Sequence, residues 1–243
     1  MEEKKLGARG QVAIFIIMAI FIGAAVILFF TLGDSFNKKV VGGGAGRVHN
    51  FVKSCADEVY LDALYDVGIK GGYYNSPVDS ISFGIPVYKN GKVLNMPSSE
   101  KIEREIVNSF DGRLKNCVGN FSSFVDMKIV ADEPSSMAKV KDEEVILNII
   151  YPMKISKGEK VEELREFGEI RIPSHIGFIY KIAQDIAESE DIDAICLTCL
   201  AKIADENDLK IDVVDYDKDV ILIVISYEEL NGDIFEFSFA MRK

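Results

Sequence analysis

An uncharged apolar segment of 23 residues, Gln11 to Gly33, constrains this chain more than any other feature. At 1.5 Å per residue, a helix of this length spans about 34 Å and exceeds the hydrocarbon core of a bilayer, which is about 30 Å thick. A helix also satisfies its backbone hydrogen bonds internally, as lipid requires. We therefore predict one transmembrane helix over residues 11–33, followed by a water-soluble domain.

A short basic leader precedes the apolar segment. Residues 1–10 carry three basic side chains and end in a small residue, Gly10, and Gln11 follows directly. An ordinary secretory signal has an apolar core of about 7–15 residues with an A-x-A-like site after it, and this chain has neither. The order of basic leader, small residue, glutamine and apolar helix resembles the archaeal class III signal peptide of type IV pilin-like proteins.

This resemblance implies that a prepilin-type peptidase cuts between Gly10 and Gln11 and releases the leader, residues 1–10. Such pilins often carry a glutamate five residues into the mature chain, where this chain has Phe15. The resemblance therefore implies processing more strongly than it implies assembly into filaments. The alternative is an uncleaved signal anchor, which keeps its leader.

The charges that flank the helix do not orient it by themselves. Three basic residues precede it and three follow it, namely Lys38, Lys39 and Arg47, so the positive-inside count is balanced. Long domains translocate largely regardless of charge. Because of the leader resemblance and the cysteines, we place the N-terminus in the cytoplasm and the domain outside, which makes a single-pass protein of the cell membrane.

Two small residues, Ala19 and Gly23, lie four positions apart on the predicted transmembrane helix. Such pairs let helix backbones approach closely in lipid, so we predict contacts there with other proteins or with copies of this chain. The alternative is that both residues reflect the ordinary composition of membrane helices.

The rest of the chain is acidic. Beyond residue 33 it carries 25 basic and 37 acidic residues, a net charge of −12. Such a domain repels a phosphate backbone, which argues against nucleic acid as a partner. The sequence has no P-loop, no dinucleotide fingerprint and no catalytic triad in its required context, so we expect no cofactor and no catalytic residue.

A glycine-rich linker, residues 34–46, is predicted to separate the membrane helix from the domain. Residues 42–46 read GGGAG, and glycine costs about 1 kcal/mol per residue in a helix. The remaining residues, 47–243, then form one extracytoplasmic domain.

The domain is predicted to be α+β, because helical patterns cluster with helices and strand patterns with strands. Apolar residues at three- and four-residue spacing predict amphipathic helices, and alternating or continuous apolar runs predict strands. The dipeptide Asn90-Gly91 predicts a hairpin turn, and the last three strands predict an antiparallel meander. The predicted helices are 47–67, Ser98 or Ser99 to about Gly119, one opened by Pro173 and Ser174, and one capped by Asp191; the predicted strands are 85–89, 92–94, 125–131, 144–155, 161–172, 209–214, 220–227 and 233–241.

Cys55 and Cys117 each lie on the apolar stripe of a predicted helix, near opposite ends. Antiparallel packing of these helices would bring the two residues together, with Cα atoms within about 7 Å. In an oxidising exterior they would form a disulfide worth about 4 kcal/mol, and the alternative is two buried free thiols. The order of these helices around the GGY at residues 71–73 resembles membrane-anchored archaeal proteins of no known activity.

Cys196 and Cys199 form a C-x-x-C motif. Thioredoxin-like enzymes place this motif at a helix N-terminus, where the thiol pKa is lowered. Here the helix capped by Asp191 is predicted to start five residues earlier, with Ile195, Cys199 and Ile203 facing inward. A core pair or a local disulfide is therefore favoured over a redox pair. A zinc site needs two more ligands at suitable spacing, so we predict no metal.

Two weaker motifs remain. Asn120-Phe121-Ser122 is an N-glycosylation sequon, which makes Asn120 a candidate acceptor on an exterior domain. Asp215, Asp217 and Asp219 have the rhythm that opens an EF-hand loop, but the glycine and glutamate that the loop needs are missing, so a solvated turn is favoured.

Two functions remain open from the sequence. The preferred one is a non-enzymatic, membrane-anchored surface protein with a pilin-like secretion signal, which binds or assembles with other proteins. The alternative is a membrane-anchored thiol–disulfide oxidoreductase that uses Cys196 and Cys199. The position of Cys196 relative to its helix discriminates between them.

Overall fold

The computed structural model describes residues 43–189, 195–228 and 232–243, which form a mixed α+β domain. Within them lie four α-helices and nine strands. None of these helices is long and apolar enough to cross a membrane. The predicted leader and transmembrane helix, with Gly10, Gln11, Ala19 and Gly23, lie outside the described residues. The elements are α1 (Gly44–Gly68), β1 (Val87–Asn90), β2 (Val93–Leu94), α2 (Ser99–Val118), β3 (Lys128–Ala131), β4 (Met137–Val140), β5 (Glu144–Lys157), β6 (Lys160–Pro173), α3 (Ile176–Ser189), α4 (Leu197–Glu206), β7 (Lys210–Asp217), β8 (Val220–Glu228) and β9 (Ile234–Arg242).

The two long helices, α1 and α2, pack against each other in antiparallel orientation. Arg113 of α2 contacts Asp66 at 2.6 Å and Asp62 at 3.1 Å, and Cys117 lies beside the N-terminal half of α1. Ser98 caps α2 as predicted, because its side chain accepts the N–H of Lys101. The apolar stripes that the sequence predicts on both helices are largely buried.

Helix α1 begins at Gly44, three residues before the predicted helix start at residue 47 and inside the segment that we predicted as linker. Ala45 is buried, and its N–H bonds to the Glu162 carboxylate at 3.3 Å. A Cβ at Gly44 would lie 2.7 Å from the Met127 sulfur. Close packing of the first turn against neighbouring segments therefore outweighs the low helix propensity of glycine.

The first sheet has the strand order β2-β1-β9-β8-β7. Strands β7, β8 and β9 form the predicted antiparallel meander, and Phe235, Phe237 and Phe239 are fully buried on one face of it. Strand β1 pairs with β9 in parallel, so this sheet is mixed. The antiparallel arrangement predicted from the sequence holds for the other pairs but not for this one.

The first hairpin has its turn one residue later than predicted. Asn90 pairs with Val93, which makes Gly91 and Lys92 the turn residues. Gly91 has φ +58° and donates its N–H to the Arg242 carbonyl at 2.8 Å. The need for a positive φ at the first turn position places glycine there, as two-residue hairpins require.

The second sheet is built on two 14-residue strands, β5 and β6, which pair along their whole length. Strands β3 and β4 both pair with the other edge of β5, one at each end. Strand β4 was not predicted from the sequence. Strand β3 begins at Lys128 rather than at residue 125, because the backbone from Phe121 to Met127 is occupied by consecutive turns.

Helix α1 contacts both sheets and joins them into one core. Its side chains reach β6 of the second sheet and β9 of the first. At its C-terminus, a Cβ on Gly68 would lie 2.5 Å from the Phe235 ring and 2.7 Å from the Glu236 carbonyl oxygen. This close approach of the helix end to β9 requires glycine at position 68.

Candidate functional sites

The C-x-x-C motif lies at a helix N-terminus, in contrast to the prediction. Helix α4 begins at Leu197, and Cys196 is its N-cap, with φ −81° and ψ 83°. The Cys196 sulfur accepts the N–H of Cys199 at 3.2 Å. Asp191, the predicted cap, lies outside the described residues. The cap was misassigned because cysteine is not among the usual N-cap residues, whereas aspartate is.

The later helix start also changes which residues face inward. Leu200 is the buried residue of α4, Ile195 and Ile203 are half-buried, and Cys199 is exposed. The predicted inward position of Cys199 is therefore wrong. With Leu197 as first residue, the inner stripe runs through Leu200 and the positions three, four and seven residues later.

Both cysteine pairs are at disulfide distance. Cys55 and Cys117 have Cα atoms 5.7 Å apart, inside the predicted limit, and Cys196 and Cys199 have Cα atoms 5.2 Å apart. Cys55 is buried against α2, whereas the second pair lies at the surface. The first bridge therefore ties two packed helices, and the second closes a surface turn that solution thiols can reach.

The outer face of the first sheet is a second candidate site. Val214, Leu222 and Ala240 are directly opposite one another across β7, β8 and β9, so their side chains share one face. Ile81 packs on Ala240 and its neighbours Val87 and Val220. Towards β7 this cover is lost, and Val214 is 45% exposed. We call the group formed by Phe83, Val214, Tyr216, Leu222 and Val224 the outer apolar face.

Phe83 belongs to a loop that contacts this face through its neighbour Ser82. The Tyr216 hydroxyl lies 2.5 Å from the Ser82 hydroxyl oxygen, which fixes the loop to β7. The next residue, Phe83, has φ +62° and is 91% exposed. The left-handed conformation costs a side-chain-bearing residue about 1–2 kcal/mol. A strained backbone that presents a large ring to water gives no folding benefit in the isolated domain.

The edge of the outer apolar face is acidic. Residues 210–219 contain four aspartates and two lysines. Lys210 and Asp212 form an ion pair at 2.5 Å, while Asp215, Asp217 and Asp219 are exposed. The turn at Asp217–Val220 is a tight strand connection, as the solvated-turn interpretation predicts. Among the described residues, no group of three or more His, Cys, Asp or Glu side chains is arranged to hold a metal ion.

A buried carboxylate, Glu105 on α2, fixes the loop that follows α1. It is 1% exposed and accepts the N–H groups of Tyr74 at 2.9 Å and Asn75 at 2.8 Å. Lys101 contacts it at 2.5 Å. Burial alone would raise the pKa of Glu105, but the bonds from Lys101 and the two backbone N–H groups outweigh it and lower the pKa. Glu105 is thus a structural carboxylate.

The pKa of Asp111 on α2 is shifted in the direction opposite to that of Glu105. One oxygen of Asp111 accepts the Ser136 N–H at 3.0 Å, whereas its other oxygen and the Ser136 hydroxyl are buried with no hydrogen-bond partner among the described residues. Burial raises the pKa of Asp111, against the lowering effect of the hydrogen bond from the Ser136 N–H. Together with a contact of 3.1 Å between Glu103 and the Val140 N–H, this interaction positions β4, the strand that the sequence did not predict.

The glycosylation candidate Asn120 is exposed and has φ +55° in the turn after α2. Its neighbour Phe121 is buried. The sequon therefore lies in a tight surface turn. The sequon identifies Asn120 from the sequence, whereas the outer apolar face has no sequence signal beyond a phenylalanine, Phe83, in a turn-rich segment.

Comparisons with protein-family models, with curated proteins and with solved structures found no match for this chain.

Proposed function

We propose that this chain is a single-pass membrane protein whose domain lies outside the cell and binds another protein through the outer apolar face. The apolar segment at residues 11–33 supports the anchor, and the leader supports its orientation. The Cys55–Cys117 pair at disulfide distance supports an oxidising compartment. The observation that carries the binding function is the exposed, strained Phe83, whose preceding residue Ser82 contacts Tyr216 of β7 at 2.5 Å.

The acidic edge argues for a basic partner rather than a second copy. In a symmetric dimer the same patch meets itself, so the aspartates of residues 212–219 would face each other. The whole chain beyond residue 33 is also strongly negative. A partner that presents apolar residues flanked by Lys or Arg can bury its apolar residues on the face and pair its basic residues with the aspartates at the edge. Edge strand β7 suits an extended segment of such a partner, which can add a strand to the sheet.

The binding test uses the full chain in detergent and two alternating peptides, Lys-Val-Lys-Val-Lys-Val and Glu-Val-Glu-Val-Glu-Val, labelled for fluorescence anisotropy. We expect saturable, salt-sensitive binding of the lysine peptide only. Val214→Ser should weaken it about three- to tenfold, since full burial of a valine is worth about 1.5–3 kcal/mol and Val214 has 45% of its surface left to bury. Val161→Ser is the matched control, because Val161 is also a strand residue and is 60% exposed on the other sheet.

Equal weakening by Val214→Ser and Val161→Ser would reject the outer apolar face as the binding surface. A photoreactive phenylalanine analogue at position 83 provides a second test in the native membrane. Cross-links to a product of twice the chain mass would assign the face to a second copy of this chain instead of a basic partner.

The membrane part of the proposal has its own test. N-terminal mass analysis of the protein from its native membrane is expected to find Gln11 as the first residue. Retention of Met1 or Glu2 would show a simple signal anchor and remove the support for pilin-like processing. Contacts through Ala19 and Gly23 are tested by Gly23→Ile, which should abolish any helix-mediated association.

A further inference from the structure

We propose that the Cys196–Cys199 disulfide exchanges with cysteine thiols of other proteins, with Cys199 as the sulfur that is attacked and Cys196 as the leaving thiolate. The inference uses different residues from the outer apolar face, so either proposal can fail alone. It depends on the position of the pair at the start of α4 and on the unequal surroundings of its two sulfurs.

The Cys196 sulfur is placed to carry negative charge. It accepts the N–H of Cys199 at 3.2 Å, and the Thr198 hydroxyl oxygen lies 3.5 Å from it. A sulfur in a disulfide has no hydrogen, so the hydroxyl is the donor in this contact. The first turn of a ten-residue helix adds its partial positive charge. A thiolate released at Cys196 therefore finds stabilising donors already in place.

The Cys199 sulfur belongs to an exposed residue, whereas Cys196 is half-buried. Exchange requires the incoming thiolate to reach one sulfur while the other leaves, and it is faster when the leaving thiolate is the more stable one. Exposure and charge stabilisation thus favour the same direction of attack. In thioredoxin-like enzymes the motif also opens a helix, but here the exposed residue is the second cysteine of the motif.

The substrate class follows from the surface beside the pair. Leu197, between the two cysteines, is 63% exposed and faces solvent on the same first turn. An apolar contact next to the sulfur suits a cysteine flanked by apolar residues, as in segments of unfolded or partly folded proteins. The chemical class of the substrate is therefore a protein dithiol with apolar flanks.

The reaction balances as a two-electron exchange. A substrate thiolate bonds to the Cys199 sulfur as the Cys196–Cys199 bond breaks, and the electron pair of that bond leaves on Cys196. The second substrate thiolate then attacks the substrate sulfur of the mixed disulfide, and Cys199 leaves as a thiolate. The substrate dithiol is oxidised to a disulfide, the protein pair is reduced to two thiols, and the two substrate protons pass to the released thiolates through solvent.

The experiment uses the full chain in detergent and a peptide, Leu-Cys-Leu-Gly, as a single-thiol probe. After rapid acid quenching and alkylation, mass spectrometry locates the peptide on one of the two cysteines. We expect the adduct on Cys199 in about tenfold excess over Cys196, since leaving-group stability controls the exchange. The Cys55–Cys117 pair should remain unmodified because Cys55 is buried.

Two variants separate the parts of the proposal. Thr198→Val should slow adduct formation with the peptide and with glutathione about equally, by roughly threefold, because it removes a donor to the leaving sulfur. Leu197→Ser should slow the peptide and leave glutathione unchanged. An adduct mainly on Cys196 would reverse the assigned direction of attack. Reaction no faster than at Cys55–Cys117 would reject the exchange activity altogether.

Discussion

Replacement of Glu105 tests whether one buried carboxylate holds the loop after α1 against α2. In Glu105→Ala, the N–H groups of Tyr74 and Asn75 lose their acceptor and Lys101 loses its partner. In Glu105→Gln, the single amide oxygen can still accept both backbone N–H groups, while the bond from Lys101 and the charge are lost. The two variants therefore separate the backbone hydrogen bonds from the ion pair with Lys101.

The expected cost follows from the contacts. Hydrogen bonds to a charged group contribute about 1.5–3 kcal/mol each, and breaking a buried ion pair costs about 3–5 kcal/mol. Asn75 is exposed, so its N–H can rehydrate, and Lys101 is 39% exposed and can turn to solvent. We therefore expect Glu105→Ala to lower the free energy of unfolding by about 2–4 kcal/mol and Glu105→Gln by about 1–2 kcal/mol.

The stabilisation that the ionised Glu105 provides decreases as the pH falls. The pKa of Glu105 is lowered in the folded domain, so folding favours the ionised form. The stabilisation is fully present above the ordinary glutamate pKa of 4.5 and is lost as the pH falls through the lower folded pKa. The difference between the natural chain and Glu105→Gln should therefore be largest at neutral pH and shrink towards pH 3.

Pulse proteolysis of the full chain in detergent, over a urea series, measures these free energies. Glu133→Gln is the matched control, because Glu133 also contacts a lysine, at 2.6 Å, but is 75% exposed. It should change stability by less than about 0.5 kcal/mol. A loss below about 1 kcal/mol in Glu105→Ala, or a Glu105→Gln difference that does not vary with pH, would refute the reasoning.

Three further predictions concern the stability of the described domain. Serine at both Cys55 and Cys117 should lower the free energy of unfolding by about 4 kcal/mol, measured by urea unfolding, and no change would show that the bridge is absent. Asp111→Asn should become more stabilising as pH rises from 3 to 7, because the pKa of Asp111 is raised in the folded state and its ionisation opposes folding; a pH-independent difference contradicts this. Gly177→Ala should lower the free energy of unfolding by about 2 kcal/mol or more, since its Cβ would lie 2.3 Å from a backbone carbonyl oxygen. Gly112→Ala should instead stabilise α2 by up to about 1 kcal/mol, because a Cβ there would meet no described atom within 4 Å. Thermal unfolding compares the two variants.

The sequence predicted those parts of the fold that depend on local periodicity. Helices α1 and α2 and the β7–β9 meander carry strong apolar patterns, and the predicted bounds differ from the observed ones by a few residues. Strand β4 was missed because its side chains are only half-buried or exposed, and side chains of α2 rather than an apolar pattern hold it. The parallel pairing of β1 with β9 joins residues about 150 positions apart, which local periodicity cannot reveal.

The candidate sites divide in the same way. The proximity of Cys55 and Cys117 follows from the antiparallel packing of two amphipathic helices, and the apolar spacing in the sequence predicts both helices. The position of Cys196 at a helix N-terminus does not follow from the apolar pattern. The helix start was predicted from Asp191, because aspartate is a better capping residue by propensity than cysteine. The outer apolar face depends on how far the loop with Ile81 covers the sheet, which is a tertiary property.

The pairing of β1 with β9 has a consequence for how the chain is made. Val87 and Tyr88 leave the ribosome long before Ala240, the residue that Val87 faces in the finished sheet. Both side chains are almost fully buried in the folded domain, so the cover that β9 provides is missing while about 150 intervening residues are made. Because such distant pairings form slowly, the early half of the domain must wait in an aggregation-prone form, and a chaperone that covers β1 during this interval would raise the yield of folded protein.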